Sequence, residues 1–171
     1  MSLTVARSIL GKLRRVAGKR SDAVRNPQAR EFEVDLWVLS DFVLDTIVPL
    51  VGVRPYPLNE LLLMTAAACR LRPSVVFDWG THIGVSARIF YECDKAFNLG
   101  FEVHSIDLPP ETTHVEHPGQ KHGRLVRGVD KVHLYRGDGV RIGLELWHKL
   151  GQSGHYFLWL AITHMNPFAM N

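Results

Sequence analysis

From residue 74 to residue 160, short runs rich in β-branched and aromatic residues alternate with longer stretches of helical period, and no other feature limits the fold as strongly. Ser74-Val75-Val76-Phe77 closes on Asp78-Trp79-Gly80 and leads into a helical stretch over 85–95, which Asn98-Leu99-Gly100 breaks. An alternating strand over 101–106 then ends at Asp107 ahead of Pro109-Pro110. A loop rich in Pro, Gly and His over 111–130 separates this unit from a strand over 131–135, the turn Gly137-Asp138-Gly139, a helix over 140–150 and a strand over 155–160. Parallel strands need crossover connections, and the helices that supply them cover the sheet. The pattern therefore predicts an α/β fold, a Rossmann-like parallel sheet with helices on both faces.

Upstream, Phe32, Leu36, Leu39, Val43, Leu44 and Ile47 recur at helical spacing and predict a long helix stopped near Pro49 and Gly52. A further helix is expected over 57–70, with Pro57 near its first turn. These helices form an N-terminal scaffold over 26–72, ahead of a core over 73–160. Over 1–25, Leu3, Ala6, Ile9, Leu10, Leu13, Val16 and Ala17 line one face of a basic amphipathic helix ended by Gly18. Three roles fit this arm: packing on the body or on another subunit of a homo-oligomer, which is the expectation, lying on an anionic membrane surface, or serving as a transit peptide.

The arm also explains the calculated pI of about 9.0. Arg7, Lys12, Arg14, Arg15, Lys19, Arg20 and Arg25 face the single acid Asp22, which leaves 13 of the 20 basic and 16 of the 17 acidic residues to the rest of the chain. A body of net negative charge gives no electrostatic reason to expect nucleic acid. With 46% apolar residues in 171, the chain has enough for one core, and disorder, collagen and coiled coil are excluded. The longest nearly apolar runs, 61–69 and 156–162, fall well short of the roughly 18 residues of a membrane span. Cys69 and Cys93 stand 24 residues apart without CxxC spacing, so neither a disulfide framework nor a zinc site is indicated, and a cytoplasmic location is expected.

Ligands of doubly wound sheets sit at the carboxyl ends of the strands, and here three of those ends are acidic: Asp78, Asp107 and Asp138. The first opens a D-x-G-x-x-x-G bend containing Asp78, Gly80, Thr81, His82 and Gly84, with Ser86 just beyond. A dinucleotide site would want GxGxxG, and an acid before the first glycine repels phosphate while attracting a cation. S-adenosyl-L-methionine meets that demand, with a sulfonium, an ammonium, a carboxylate for free helix-start amides, a ribose diol and an adenine. Asp107 is placed to accept both ribose hydroxyls and Asp138 to accept from the adenine amino group. Plainer roles stay open: Gly80 and Gly84 as turn glycines, Asp107 as a cap or loop acid, Asp138 as a turn aspartate.

The run from Val76 to Ala87, then Ser105-Ile106-Asp107, then Arg136-Gly137-Asp138-Gly139, resembles the class I S-adenosylmethionine-dependent methyltransferases. Within that class it is most similar to the branch of macrocin-type and rhamnosyl O-methyltransferases and cephalosporin-hydroxylase-like proteins, over roughly residues 57–160. The resemblance implies that Asp78, Gly80, Thr81, Gly84 and Ser86 line the methionine and ribose side, that Asp107 holds the diol and that Asp138 borders the adenine. It also implies methyl transfer to a hydroxyl of a small-molecule or sugar acceptor. His82 departs from the pattern, since many members of the class have glycine there.

The resemblance stops after residue 160. There the branch has an acidic stretch like Asp-Gly-Asp-His-Ser/Thr-Tyr-Glu, on the acceptor and divalent-metal side, where this chain reads Leu160-Ala161-Ile162-Thr163-His164-Met165-Asn166. Codons for these residues, read from their third bases, permit Gly-Asp-His-Thr-Tyr-Glu, so the tail over 161–171 is expected to follow a frameshift or to belong to a short homologue. A sheet cut there predicts a bare apolar edge at 157–160, retained cofactor binding and lost methyl transfer, with no general base assignable and no metal expected. The alternative function is a non-catalytic remnant or interaction protein that keeps the nucleotide-binding half. His114, His117 and His122 read as solvated or lid residues, and His104 and His133 as packed or surface histidines.

Overall fold

A computed structural model describes residues 35–109, 121–151 and 154–160. The basic arm, Phe32, His114, His117 and the tail over 161–171 lie outside the described residues. Helix α1 (Leu36–Phe42) starts where Asp35 Oδ1 accepts the backbone N–H groups of Trp37 at 3.1 Å and Val38 at 3.3 Å. It runs on through a π-helical stretch, Val43–Ile47, into α2 (Val48–Val51), which Gly52 ends at φ 76°. The helix stops at Gly52, in line with the expected end near Pro49 and Gly52, and Pro49 itself sits in the first turn of α2, after the wider turn has displaced the regular hydrogen-bond ladder. A missing N–H costs little there.

Helix α3 (Leu58–Leu71) begins at Pro57, whose carbonyl accepts Glu60 and Leu61, and ends at Arg72 in the left-handed region. The core then follows as β1 (Val75–Trp79), α4 (Val85–Phe97), β2 (Glu102–Asp107), β3 (Val132–Arg136), α5 (Gly139–Leu150) and β4 (Tyr156–Leu160). Each element falls within a residue or two of the span expected from the sequence. The four strands are parallel in the order β3-β2-β1-β4.

That order explains the layering. The chain moves one way from β1 through α4 to β2, and the other way from β3 through α5 to β4. Crossovers of one hand that travel in opposite directions place their helices on opposite faces. On one face α1 to α4 bury Leu39, Phe42, Leu61, Met64, Ile89 and Phe90 against Val76 and Val103. On the other, Ile142 and Leu146 of α5 cover Val75, Phe77 and Ile106. The chain reverses direction at β1, between β2 and β4, which is the switch point where open α/β sheets leave a crevice. Period-2 alternation then sorts β1 and β2: Asp78, Ser105 and Asp107 share the α4 side with Val76 and Val103, while Glu102, His104 and Ile106 share the α5 side with Phe77.

Candidate functional site

The bend between β1 and α4 lies at that switch point. Gly80 (φ 94°) extends the sheet by donating to the Ile106 carbonyl at 2.9 Å, and Gly84 (φ 88°) closes the turn by donating to Thr81 O at 2.6 Å. Gly84 is required twice over, since a Cβ there would also stand 2.8 Å from Val126 Cγ2. His82, the departure from the methyltransferase pattern, takes the left-handed region itself at φ 45°, a conformation that glycine enters without Cβ strain. Gly84 caps α4 without a side-chain hydrogen bond, so α4 starts with its first amides uncapped by that residue.

Beneath the bend lies a buried polar relay. Ser105 Oγ donates to Asp78 Oδ2 at 2.6 Å and lies 2.7 Å from Thr81 Oγ1. Because serine has one O–H and Asp78 takes it, Thr81 is the donor in the second bond. Asp78, Thr81 and Ser105 are all buried, and Asp78 Oδ1 has no hydrogen-bond donor within ordinary geometry among the described residues. Burial pushes the Asp78 carboxyl up to about 6, against the opposing pull of the Ser105 and Ser86 hydroxyls and with the Asp107 charge adding to the rise. The Tyr56 phenol, raised mainly by its own burial, has Trp159, Asp78 and Ser86 as neighbours.

Asp107 ends β2 at the rim. Its Oδ2 accepts the His82 N–H at 3.0 Å and stands 3.2 Å from His122 Nε2, while Oδ1 accepts the Leu108 N–H at 2.9 Å. His122 belongs to the segment over 121–129, which is laced onto the bend by Gly123 N to His82 O at 2.8 Å and Leu125 N to Ile83 O at 3.0 Å. Arg88 of α4 holds the same segment by donating to the Leu125 carbonyl at 2.8 Å.

The structure thus gathers Asp78, Gly80, Thr81, His82, Gly84, Ser86 and Asp107 around one bend. Asp138 stands apart in its chemistry. The turn preceding it touches the rim through Gly137 N to Asp107 O at 3.0 Å, but its exposed carboxylate caps α5 by accepting Arg141 N at 2.8 Å. Sequence reasoning passed over Ser105, Tyr56 and the pairing of His122 with Asp107. Ser105 alone carried a signal, as a hydroxyl at a strand position whose neighbours two residues away, Val103 and Asp107, are buried. No protein-family model and no curated protein matches the chain.

Proposed function

We propose that this bend binds S-adenosyl-L-methionine and that the domain is of the methyltransferase type, a type whose acceptor would be a hydroxyl of a small molecule or sugar. The observation that supports it best is the pair of strand-end carboxylates on either side of one glycine bend, Asp78 below it and Asp107 at its rim. A buried carboxylate oxygen without a donor is an acceptor that costs about 1–3 kcal/mol until something satisfies it, and a cation at the bend would do so. The donor set fits the rest of the molecule as well. The start of α4 offers amides to an amino-acid carboxylate, and Asp107 offers acceptor lone pairs to a diol.

When bound, the cofactor supplies an electrophilic methyl group on a cationic sulfur. The protein's share is to bind, orient and exclude water. Thr81 and Ser105 hold Asp78 in one orientation, and Gly84 with Val126 fixes the shape of the bend. Two of the four lone-pair directions of Asp107 are taken by the His82 and Leu108 amides, and His122 Nε2 stands 3.2 Å from Oδ2. A diol that takes the other two is crowded on the Oδ2 side by His122. Calorimetry on the full chain with S-adenosylmethionine, S-adenosylhomocysteine and NAD tests the reading. Heat is expected with the first two and none with NAD, and a chain silent to all three, or responsive to NAD alone, overturns it.

A further inference from the structure

On the opposite face of the sheet, at the amino-terminal end of β2, three side chains converge that play no part in the bend. Glu102 and His104 are two residues apart on one strand and so share a face, and His133 of β3 is the direct cross-strand partner of His104. His133 Nε2 lies 3.0 Å and His104 Nε2 lies 3.9 Å from Glu102 Oε2, and one ligand atom from each of the three residues falls within 4.8 Å of the others. The two imidazoles stack with centroids 4.7 Å apart. His104 is 4% exposed, and its Nε2 is buried with no hydrogen-bond partner among the described residues.

We infer that Glu102, His104 and His133 form a binding site for a first-row divalent cation of the zinc type, with the remaining coordination positions left to water. A tetrahedral ion with bonds of about 2.0–2.1 Å needs donors about 3.4 Å apart, between the two separations measured to Glu102 Oε2. Small rotations of Glu102 and His133, both with half-exposed side chains, bring the three donors to that spacing. Two imidazole nitrogens and a carboxylate suit zinc, cobalt or iron(II) better than magnesium or calcium.

Two further observations point to a ligand. Buried polar atoms are nearly always partnered, and the orphaned Nε2 of His104 is the atom that faces the cluster. His104 Nδ1 lies 3.0 Å from the Tyr135 hydroxyl, so in the metal-bound state Nδ1 keeps the proton and donates it to Tyr135 while Nε2 presents its lone pair. Burial and the neighbouring His133 hold His104 down to about 4, with Glu102 opposing and Lys149 of α5 reinforcing the fall, so the ring is neutral at physiological pH. The site stands three residues from Asp107 along β2, roughly 10 Å. It does not depend on the methyltransferase reading. A cation here would clamp β3, which among the described residues pairs only with β2, to the body of the sheet.

Zinc chloride titrated calorimetrically into the full chain, with cobalt(II) absorption as a geometric probe, tests the site. The chain has nine histidines, so the comparison is between variants. His133→Ala and Glu102→Gln alter half-exposed side chains and are expected to fold. Each should weaken the tightest zinc event at least tenfold and remove the tetrahedral cobalt band, and Tyr135→Phe should weaken it by about 10–100-fold. Zinc should raise the Tm of the wild type and leave that of His133→Ala unmoved. Superimposable zinc isotherms for the wild type, His133→Ala and Glu102→Gln would overturn the proposal, as would a wild type that takes up no zinc.

Discussion

The Asp107 carboxylate accepts the backbone N–H of His82 at 3.0 Å, so the end of β2 is hydrogen-bonded to the bend that follows β1. One side chain thereby shapes the bend and forms its rim. Its two duties separate by substitution. Asp107→Ala leaves the His82 and Leu108 amides without their acceptor and should cost about 1–3 kcal/mol in denaturant unfolding. Asp107→Asn keeps one acceptor oxygen and should cost less. Both should lose S-adenosylmethionine binding in calorimetry, because a neutral amide cannot accept two hydroxyls while holding the bend. Undiminished affinity in Asp107→Ala would remove the ribose assignment.

Asp78 makes binding pH-dependent with a fixed sign. Its carboxyl titrates near 6, and only the ionised form attracts a cation. At pH 5 about a tenth of the folded chain carries that charge, so affinity for S-adenosylmethionine should be about tenfold weaker than at pH 7.5. In Asp78→Asn the affinity should be low throughout and flat across this window. A pH-independent wild type would show that Asp78 does not contact the ligand's charge.

The same burial sets a stability slope. An acid raised from 3.8 to about 6 on folding binds more protons folded than unfolded between those values, so its contribution falls as pH rises through that window. His104, held down to about 4 from 6.5, acts in the opposite sense, its contribution being present above 6.5 and lost as pH falls toward 4. The two slopes offset one another in the wild type. Asp78→Asn removes the first, and relative to wild type it should gain on the order of 3 kcal/mol between pH 4 and pH 7.5. Urea midpoints at the two pH values measure this, and parallel profiles would mean that Asp78 is not buried as a carboxyl.

Most of the fold could be read from the sequence because strand and helix periods are local properties, and β1, β2, α4 and α5 all carry them clearly. The helix end near Pro49 and Gly52 was legible, whereas the π-helical stretch before it was not, because such a turn depends on packing, not on composition. In the bend, Gly80 and Gly84 announced themselves through their need for positive φ, whereas the same backbone region at His82 was signalled only by the glycine that the resembled class often has there. The pairing of His122 with Asp107 and the convergence of Glu102, His104 and His133 were invisible for a different reason. Both join segments whose proximity is set by strand register and loop closure, and a single sequence encodes neither explicitly.

His122 crowds the space beside Asp107 Oδ2 that the proposed diol would use, which predicts a gain of function from a truncation. His122→Ala opens the space beside Asp107 Oδ2 while leaving the Gly123 and Leu125 backbone bonds to hold the segment on the bend. Affinity for S-adenosylmethionine and S-adenosylhomocysteine should rise several-fold, with the larger share of the change in koff. A fall in affinity would instead make His122 a direct contact to the ligand.

Gly139 opens α5 beneath the Trp79 indole, and its substitution sets two effects against each other. At this first helical position alanine is favoured over glycine by less than the roughly 1 kcal/mol of a helix interior, and no positive φ forbids it here. Its Cβ, however, would overlap Trp79 Nε1 outright and stand 3.0 Å from Cδ1, against a rigid ring that also packs on Gly143. An indole at the end of β1 cannot retreat as a flexible chain would, so overpacking should win and Gly139→Ala should destabilise by about 1–3 kcal/mol. Gly143→Ala, whose nearest indole carbon is 3.3 Å away, should lose less. Because the clash is with one side chain, Trp79→Leu should erase the penalty of Gly139→Ala in a double-mutant cycle of unfolding free energies, and additive losses would place the strain elsewhere in the turn.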